Sequence, residues 1–182
     1  MTTTNFPNGL TNNAAQNALG QMLLLDPSKA HTYFNDFDTY IAANWALIQV
    51  GTPTEALTDE DGGVLLITNS AANGDTSFSQ KVGESFLMEL NKPTFFKTRF
   101  KISDAIQSVL FIGLTGPVTI VDGVYFTKAA GSALLDFVVI KDNVSTVNSG
   151  IGTVADDTYI TAAFYYNGID KISYYVGTDS TN

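Results

Sequence analysis

From Tyr33 onward the chain is cut into short apolar or alternating segments, each closed by a turn-forming group, and nothing between them repeats at helical spacing. That pattern restricts the body to β structure. The predicted strands are Tyr33 to Phe37, Trp45 to Gln49, Val64 to Thr68, Phe86 to Leu90, Thr94 to Ser103, Ser108 to Leu114, Gly123 to Lys128, Leu134 to Ile140, Tyr159 to Tyr166 and Lys171 to Val176. Between them lie Asp61-Gly62-Gly63, Asn73-Gly74-Asp75, Asn91-Lys92-Pro93, Gly116-Pro117, Lys141-Asp142-Asn143 and Asn167-Gly168, residues that tolerate or preset turn dihedrals. About ten short strands without crossover helices predict an all-β, two-sheet antiparallel sandwich rather than a βαβ sheet.

The clearest strand is Thr94 to Ser103. Side chains alternate across a strand, so Phe96, Thr98, Phe100 and Ile102 share one face, and Phe95, Lys97, Arg99 and Lys101 share the other. One face enters the core; the other carries a row of three positive charges. Val109 to Ile112 and Phe137 to Ile140 are apolar without alternation, which predicts cover on both faces.

Ahead of this body stands a polar leader, residues 1–30, with too few apolar residues to fold alone. Thr11 or Asn12 can cap a short helix that stops at Gly20, and Asp26-Pro27-Ser28 is a turn signal before the body at 31–182. Leu10, Leu19, Met22, Leu23, Leu24 and Leu25 have no second layer within the leader, so they are expected to dock on the body or on another chain. Extended at roughly 3.3 Å per residue, the leader could reach about 100 Å. The sequence thus describes a docking arm joined to a rigid block.

At 182 residues the chain suits one domain with a real core. Its charged share of 15 % is low for a solvated monomer, which implies surface that is neutral or covered by partners. Cysteine is absent, so disulfides and thiolate metal sites are excluded. The longest apolar run in the leader, Met22 to Leu25, is too short for a signal-peptide core or a membrane span, and no export signal or membrane partner is expected. The net charge of −9 argues against a nucleic-acid surface.

Catalysis has little to stand on. A nucleophile triad needs its histidine near a Ser or Thr and a carboxylate, and a zinc site needs several N or S ligands; the one histidine, His31, stands at the edge of the body beside a turn and reads as structural or solvent-facing. The acid pairs Asp36 with Asp38 and Glu84 with Glu89 offer glycosidase spacing only on paper, because edge-strand and surface-charge roles explain them equally well. Asp59, Glu60 and Asp61 lack the spaced ligand pattern of a calcium loop, and Asn143-Val144-Ser145 reads as a chance acceptor match. No catalytic residue, cofactor or metal is expected. The row Lys97, Arg99, Lys101 reads either as a site for an acidic neighbour or as a solvated face paired to Glu89. Tyr165 and Tyr174 read as core filling or as an open aromatic platform for glycans.

The succession Tyr33-Phe34-Asn35-Asp36-Phe37-Asp38, Phe95-Phe96-Lys97-Thr98-Arg99-Phe100-Lys101-Ile102, Phe111-Ile112-Gly113-Leu114, Asp122-Gly123-Val124-Tyr125-Phe126 and Tyr165-Tyr166-Asn167-Gly168 resembles the concanavalin-like, laminin-G-like jelly roll. More narrowly it is similar to tailed-bacteriophage structural proteins of that fold, including capsid decoration or cement proteins, and Thr4 to Asn12 resembles the N-terminal arms of such virion proteins. The resemblance implies a virion protein on the outer capsid surface, with the major capsid protein as partner and a homotrimer as its form. Phe6, Leu10, Leu19, Met22, Leu24, Lys97, Arg99 and Lys101 would then make the subunit contacts. The calcium and sugar residues of true lectins are not recognisable, and a carbohydrate-binding or tail-fibre receptor domain is the alternative. After Tyr175-Val176-Gly177 a jelly roll usually returns with further strands, which implies that the leader, a neighbouring chain or additional sequence completes the sheet.

Overall fold

A computed structural model describes residues 30–59, 63–70, 72, 74–83, 86–116 and 120–178. The arm, its helix and its anchors Phe6, Leu10, Leu19, Met22 and Leu24 lie outside the described residues. The protein is all-β, with one short 3-10 helix at Ala42–Asn44 among the described residues. Its strands are β1 Trp45–Val50, β2 Thr54–Thr58, β3 Val64–Thr68, β4 Thr76–Lys81, β5 Thr94–Phe100, β6 Leu110–Thr115, β7 Gly123–Lys128, β8 Leu134–Lys141, β9 Val144–Thr153, β10 Ile160–Tyr166 and β11 Ile172–Thr178. Every ladder between these strands is antiparallel.

Two compact units divide the chain. The larger comprises Ile41–Pro53 and the residues from Asn69 on. Within it a four-stranded sheet, β6-β7-β8-β9, faces a three-stranded sheet, β11-β10-β5, as an antiparallel sandwich. The interface is built by alternation: Val124 and Phe126 of β7, Leu135 and Phe137 of β8, and Ala162 and Phe164 of β10 are all buried. Four rings knit the layers, with Phe126, Phe137 and Phe164 within 5.1–6.3 Å of one another and Phe96 stacked on Phe164 at 5.2 Å. Burial of each large apolar side chain contributes about 1.5–3 kcal/mol, so this aromatic cluster is the main stabilising element of the sandwich. A smaller cluster, Ala105, Val154 and Ile160, closes one end.

The β1–β4 pair belongs to the same unit. Phe78 of β4 lies 6.1 Å from Phe111, which in turn lies 4.3 Å from Tyr125, so β4 covers part of the outer face of the four-stranded sheet. On β8 both sides are apolar and covered: Phe137 faces the core, and Val138, opposite Tyr125 in the ladder, is also buried. Val109, by contrast, is exposed, so the expected double cover of Val109 to Ile112 does not extend to its first residue.

The smaller unit contains the hairpin β2–β3 and the described segment through Tyr40. Its entry segment is a compact turn, not the strand expected over Tyr33 to Phe37. Asn35 Oδ1 accepts the Phe37 amide at 2.9 Å, Asp36 Oδ1 accepts the Asp38 amide at 3.4 Å, and Phe37 adopts φ +58°. Side-chain oxygens thus take amides that a ladder would need. A Cβ at Gly63 would sit 2.5 Å from the Asp36 carbonyl oxygen, so only glycine admits this turn against the hairpin.

Phe86 to Leu90 is the other strand that does not form. Lys92 closes a turn on the Glu89 carbonyl at 3.1 Å, Asn91 is at φ +64°, and Leu87 and Leu90 are exposed while Met88 packs on the core. The long strand ends at Phe100 rather than Ser103, with Ile102 making only an isolated parallel bridge to Asp156.

Candidate binding face

The three-stranded sheet turns one side to the core and the other away from it. Its register places the outward residues in three cross-strand rows: Phe95, Tyr165, Ser173; then Lys97, Ala163, Tyr175; then Arg99, Thr161, Gly177. Strong alternation in β5 creates this face, since Phe96, Thr98 and Phe100 are part-buried while Phe95, Lys97 and Arg99 are exposed. Phe95 and Tyr175 are each 60 % exposed, so both rings stand in solvent around a central alanine that is only 8 % exposed. A Cβ at Gly177 would meet nothing within 4 Å, and that corner is open.

The positive row is organised by a ring. Arg99 places its guanidinium carbon 3.6 Å from the centroid of Tyr159, and Lys101 brings Nζ to 5.0 Å of the same centroid. Cation–π attraction of about 0.5–1 kcal/mol per exposed pair holds both side chains beside the face. Glu89 forms an ion pair with Lys92, three residues on in the sequence. The local rule that put Glu89 across a hairpin from the positive row fails because its strand does not form.

Tyr165 and Tyr174 do not make a common platform. Tyr174 lies opposite Phe164 in the ladder and packs 4.9 Å from Phe137 on the core side, whereas Tyr165 lies opposite Phe95 and Ser173 on the outer side. Tyr175 shares the face with Tyr165. The alternation of β5 had already placed Phe95 on this face; Tyr175 is the member that sequence reasoning left unassigned, and its signal was the phase of two adjacent tyrosines relative to Phe164.

Other chemical candidates stay apart. Among the described residues no three His, Cys, Asp or Glu side chains cluster to hold a metal. Asp36 and Asp38 occupy a turn rather than one strand face, and Glu60, Asp61 and Glu84 lie outside the described residues. No described helix is long and apolar enough to cross a membrane.

Among the described residues the buried charge is Lys128, enclosed at the end of β7. Its ammonium donates to the carbonyls of Ser108, of Ala129 at 3.0 Å and of Ile106 at 3.4 Å. Burial pushes the ammonium below its ordinary value, and Asp104 opposes that shift. Asp104 Oδ1 accepts the amides of Gln107 at 2.8 Å and Ile106 at 2.9 Å, which hold its carboxyl below the ordinary value. Lys128 therefore ties the 104–108 turn to the sheet; it faces three carbonyls and is placed for structure.

No protein-family model matches this chain, and no curated protein or solved structure is significantly similar to it.

Proposed function

We propose that this chain is a non-enzymatic structural protein of a tailed-phage particle, decorating and cementing the capsid by bridging neighbouring major-capsid subunits as a trimer. The observation that supports it best is the hairpin β2–β3. Two-stranded hairpins are marginal in water by themselves. This one carries Leu57 and Ile67 on one side and Leu66 on the other, each 44–50 % exposed, and Phe34 of the same unit is 85 % exposed. Apolar side chains held outward on both sides of a thin element suit burial against a second protein.

In this reading the hairpin and the arm residues Phe6, Leu10, Leu19, Met22 and Leu24 grip the shell, and the sandwich supplies a rigid body. Purified protein is expected to saturate capsids that lack it and to raise their thermal disruption temperature. Deleting residues 1–30 should abolish particle binding while circular dichroism still reports a folded β body. Saturation of capsids by the truncated chain would remove the arm from the model.

The outer face with Phe95, Tyr165 and Tyr175 favours a second reading, a carbohydrate-binding or tail-fibre receptor domain. Exposed rings on an open sheet can pack against sugar rings. Binding to immobilised glycans with none to empty capsids would select it.

A further inference from the structure

We propose that the outer edge of β9, over Val144 to Ser149, pairs with the same edge of a second copy of this chain, antiparallel and about a twofold axis at Val147. Among the described residues β9 pairs with β8 alone and ends the four-stranded sheet. A two-residue hairpin hydrogen-bonds its flanking pair, here Lys141 and Val144 around Asp142 and Asn143. By alternation Val144, Thr146 and Asn148 then spend their main-chain groups on β8, and Ser145, Val147 and Ser149 turn theirs outward. Long edges are usually blunted by charge, proline or a bulge. From Val144 to Ser149 there is no ionisable side chain and no proline, and every residue is exposed. The bulge comes only afterwards: Gly150 adopts φ +65° and gives its amide to Asp136 Oδ1 at 2.8 Å, and the register shifts between Leu135 and Phe137. A Cβ at Gly152 would lie 2.8 Å from Val176 Cγ1, so the second half of β9 is set against β11 while the first half stays open.

Side-chain continuity, charge and symmetry select a second copy as the occupant. The register sets Gly113, Tyr125, Val138 and Val147 in one row across the outer face of the sheet. Val138 is buried but Val147 is 51 % exposed, so the row ends in solvent at the edge, and Val147 of the second copy would extend it. Two chains of net charge −9 repel each other unless the surfaces that meet are free of acids. Pairing centred on Val147 sets Ser145 opposite Ser149 and Thr146 opposite Asn148, with no charge in either strand. The same operation at the β5 edge would set Lys97 against its own copy, and β6 is part-buried at all six positions. Because a twofold contact joins an edge to itself, it closes after two chains and does not propagate as a fibre.

The test measures the full chain by sedimentation equilibrium beside Val147→Lys, which sets two ammonium groups against each other on the axis. The wild type is expected at twice the mass of the variant, whatever size the variant keeps, with unchanged circular dichroism, and Val147→Thr should retain the larger mass. Facing residues of an antiparallel ladder lie about 5.5 Å apart at Cα, within disulfide reach. The chain has no cysteine, so Val147→Cys should form a disulfide-linked pair under mild oxidation at least tenfold faster than the exposed control Val109→Cys. Amides of Ser145 and Val147 should be protected from exchange in the wild type and lose that protection in Val147→Lys. Equal masses for wild type and Val147→Lys, or equal crosslinking rates at the two cysteines, would overturn the proposal. Protection of those two amides with equal masses would overturn it as well, by placing another segment of the same chain on the edge.

Discussion

Tyr40 and Lys128 are single residues whose chemistry is set by their immediate surroundings, one carboxylate for Tyr40 and three carbonyls in a buried site for Lys128. Tyr40 donates its hydroxyl to Glu55 Oε2, and that bond, with the carboxylate charge, raises the phenol from its ordinary 10.0 to about 12. The folded state therefore holds this proton more tightly than the unfolded chain does. The stabilisation is fully present below pH 10 and is lost as pH rises through about 12. Tyr40→Phe should abolish that alkaline loss in the smaller unit, read as a flatter dependence of β2–β3 amide protection on pH. At Lys128 the expected change is the opposite of what removing a buried charge suggests. Lys128→Met would remove this donor from the carbonyls of Ser108, Ala129 and Ile106, of which Ile106 keeps the Gly131 amide at 2.7 Å, at about 1–3 kcal/mol for an acceptor left unpaired. A lower urea midpoint with an unchanged slope would bear this out; a higher midpoint would mean that Met packing outweighs the lost bonds. Neither pairing was legible in the sequence. Tyr40 and Glu55 are far apart in the chain, and nothing in a strand pattern announces that a lysine beside Ala129 turns inward.

Whether an element could be read from sequence depended on whether its own side chains carried the phase. β5 and β7 did: each alternates against a single core, and the predicted Gly123 to Lys128 matches β7 at both ends. β9 did not. Val144–Thr153 is mostly Ser, Thr, Asn and Gly and stays exposed over most of its length, so its existence depends on β8 and on the turn between them. That turn was visible: Asp142 and Asn143 both adopt positive φ, the two-residue hairpin geometry in which Asn and Asp are favoured. β2 and β4 were missed for the same reason, few apolar residues and no repeated alternation, while Phe86 to Leu90 had apolar residues but no partner strand to pair with. Glycines within strands give the sharpest test at this scale. A Cβ at Gly113 would lie 2.4 Å from the Val124 carbonyl oxygen and 2.6 Å from Tyr125 Cα, backbone that cannot move aside. Gly113→Ala should cost about 1–3 kcal/mol, the usual range for overpacking. Gly177→Ala, with nothing in reach of the new methyl, should change stability by no more than about 0.5 kcal/mol. Paired thermal denaturation of the two variants separates a contact effect from a general intolerance of strand glycines to substitution.

At the scale of the whole molecule the two units differ in what secures them. In the larger, Phe126, Leu135, Phe137 and Phe164 are each no more than 1 % exposed, and they join two sheets whose strands lie far apart in sequence. In the smaller, β2 and β3 pair with each other, and Leu57, Leu66 and Ile67 remain substantially exposed. Opening free energies within one protein range from near zero to the global value, and few buried apolar neighbours place a segment at the low end. Native-state hydrogen exchange should therefore find amides of β7, β8 and β10 opening only with global unfolding, and those of β2 and β3 opening by a separate, lower-energy step. The proposed capsid binding by the hairpin would have a selective consequence. A partner that recognises only the closed hairpin stabilises it by mass action, by about 2.7 kcal/mol when present at a hundred times its dissociation constant. Protection in β2 and β3 should then rise by roughly a hundredfold on particles, while β7, β8 and β10 stay near their free values. A uniform rise across both units would place the particle contact elsewhere on the body, and no rise in β2 and β3 would separate the hairpin from the assembly role altogether.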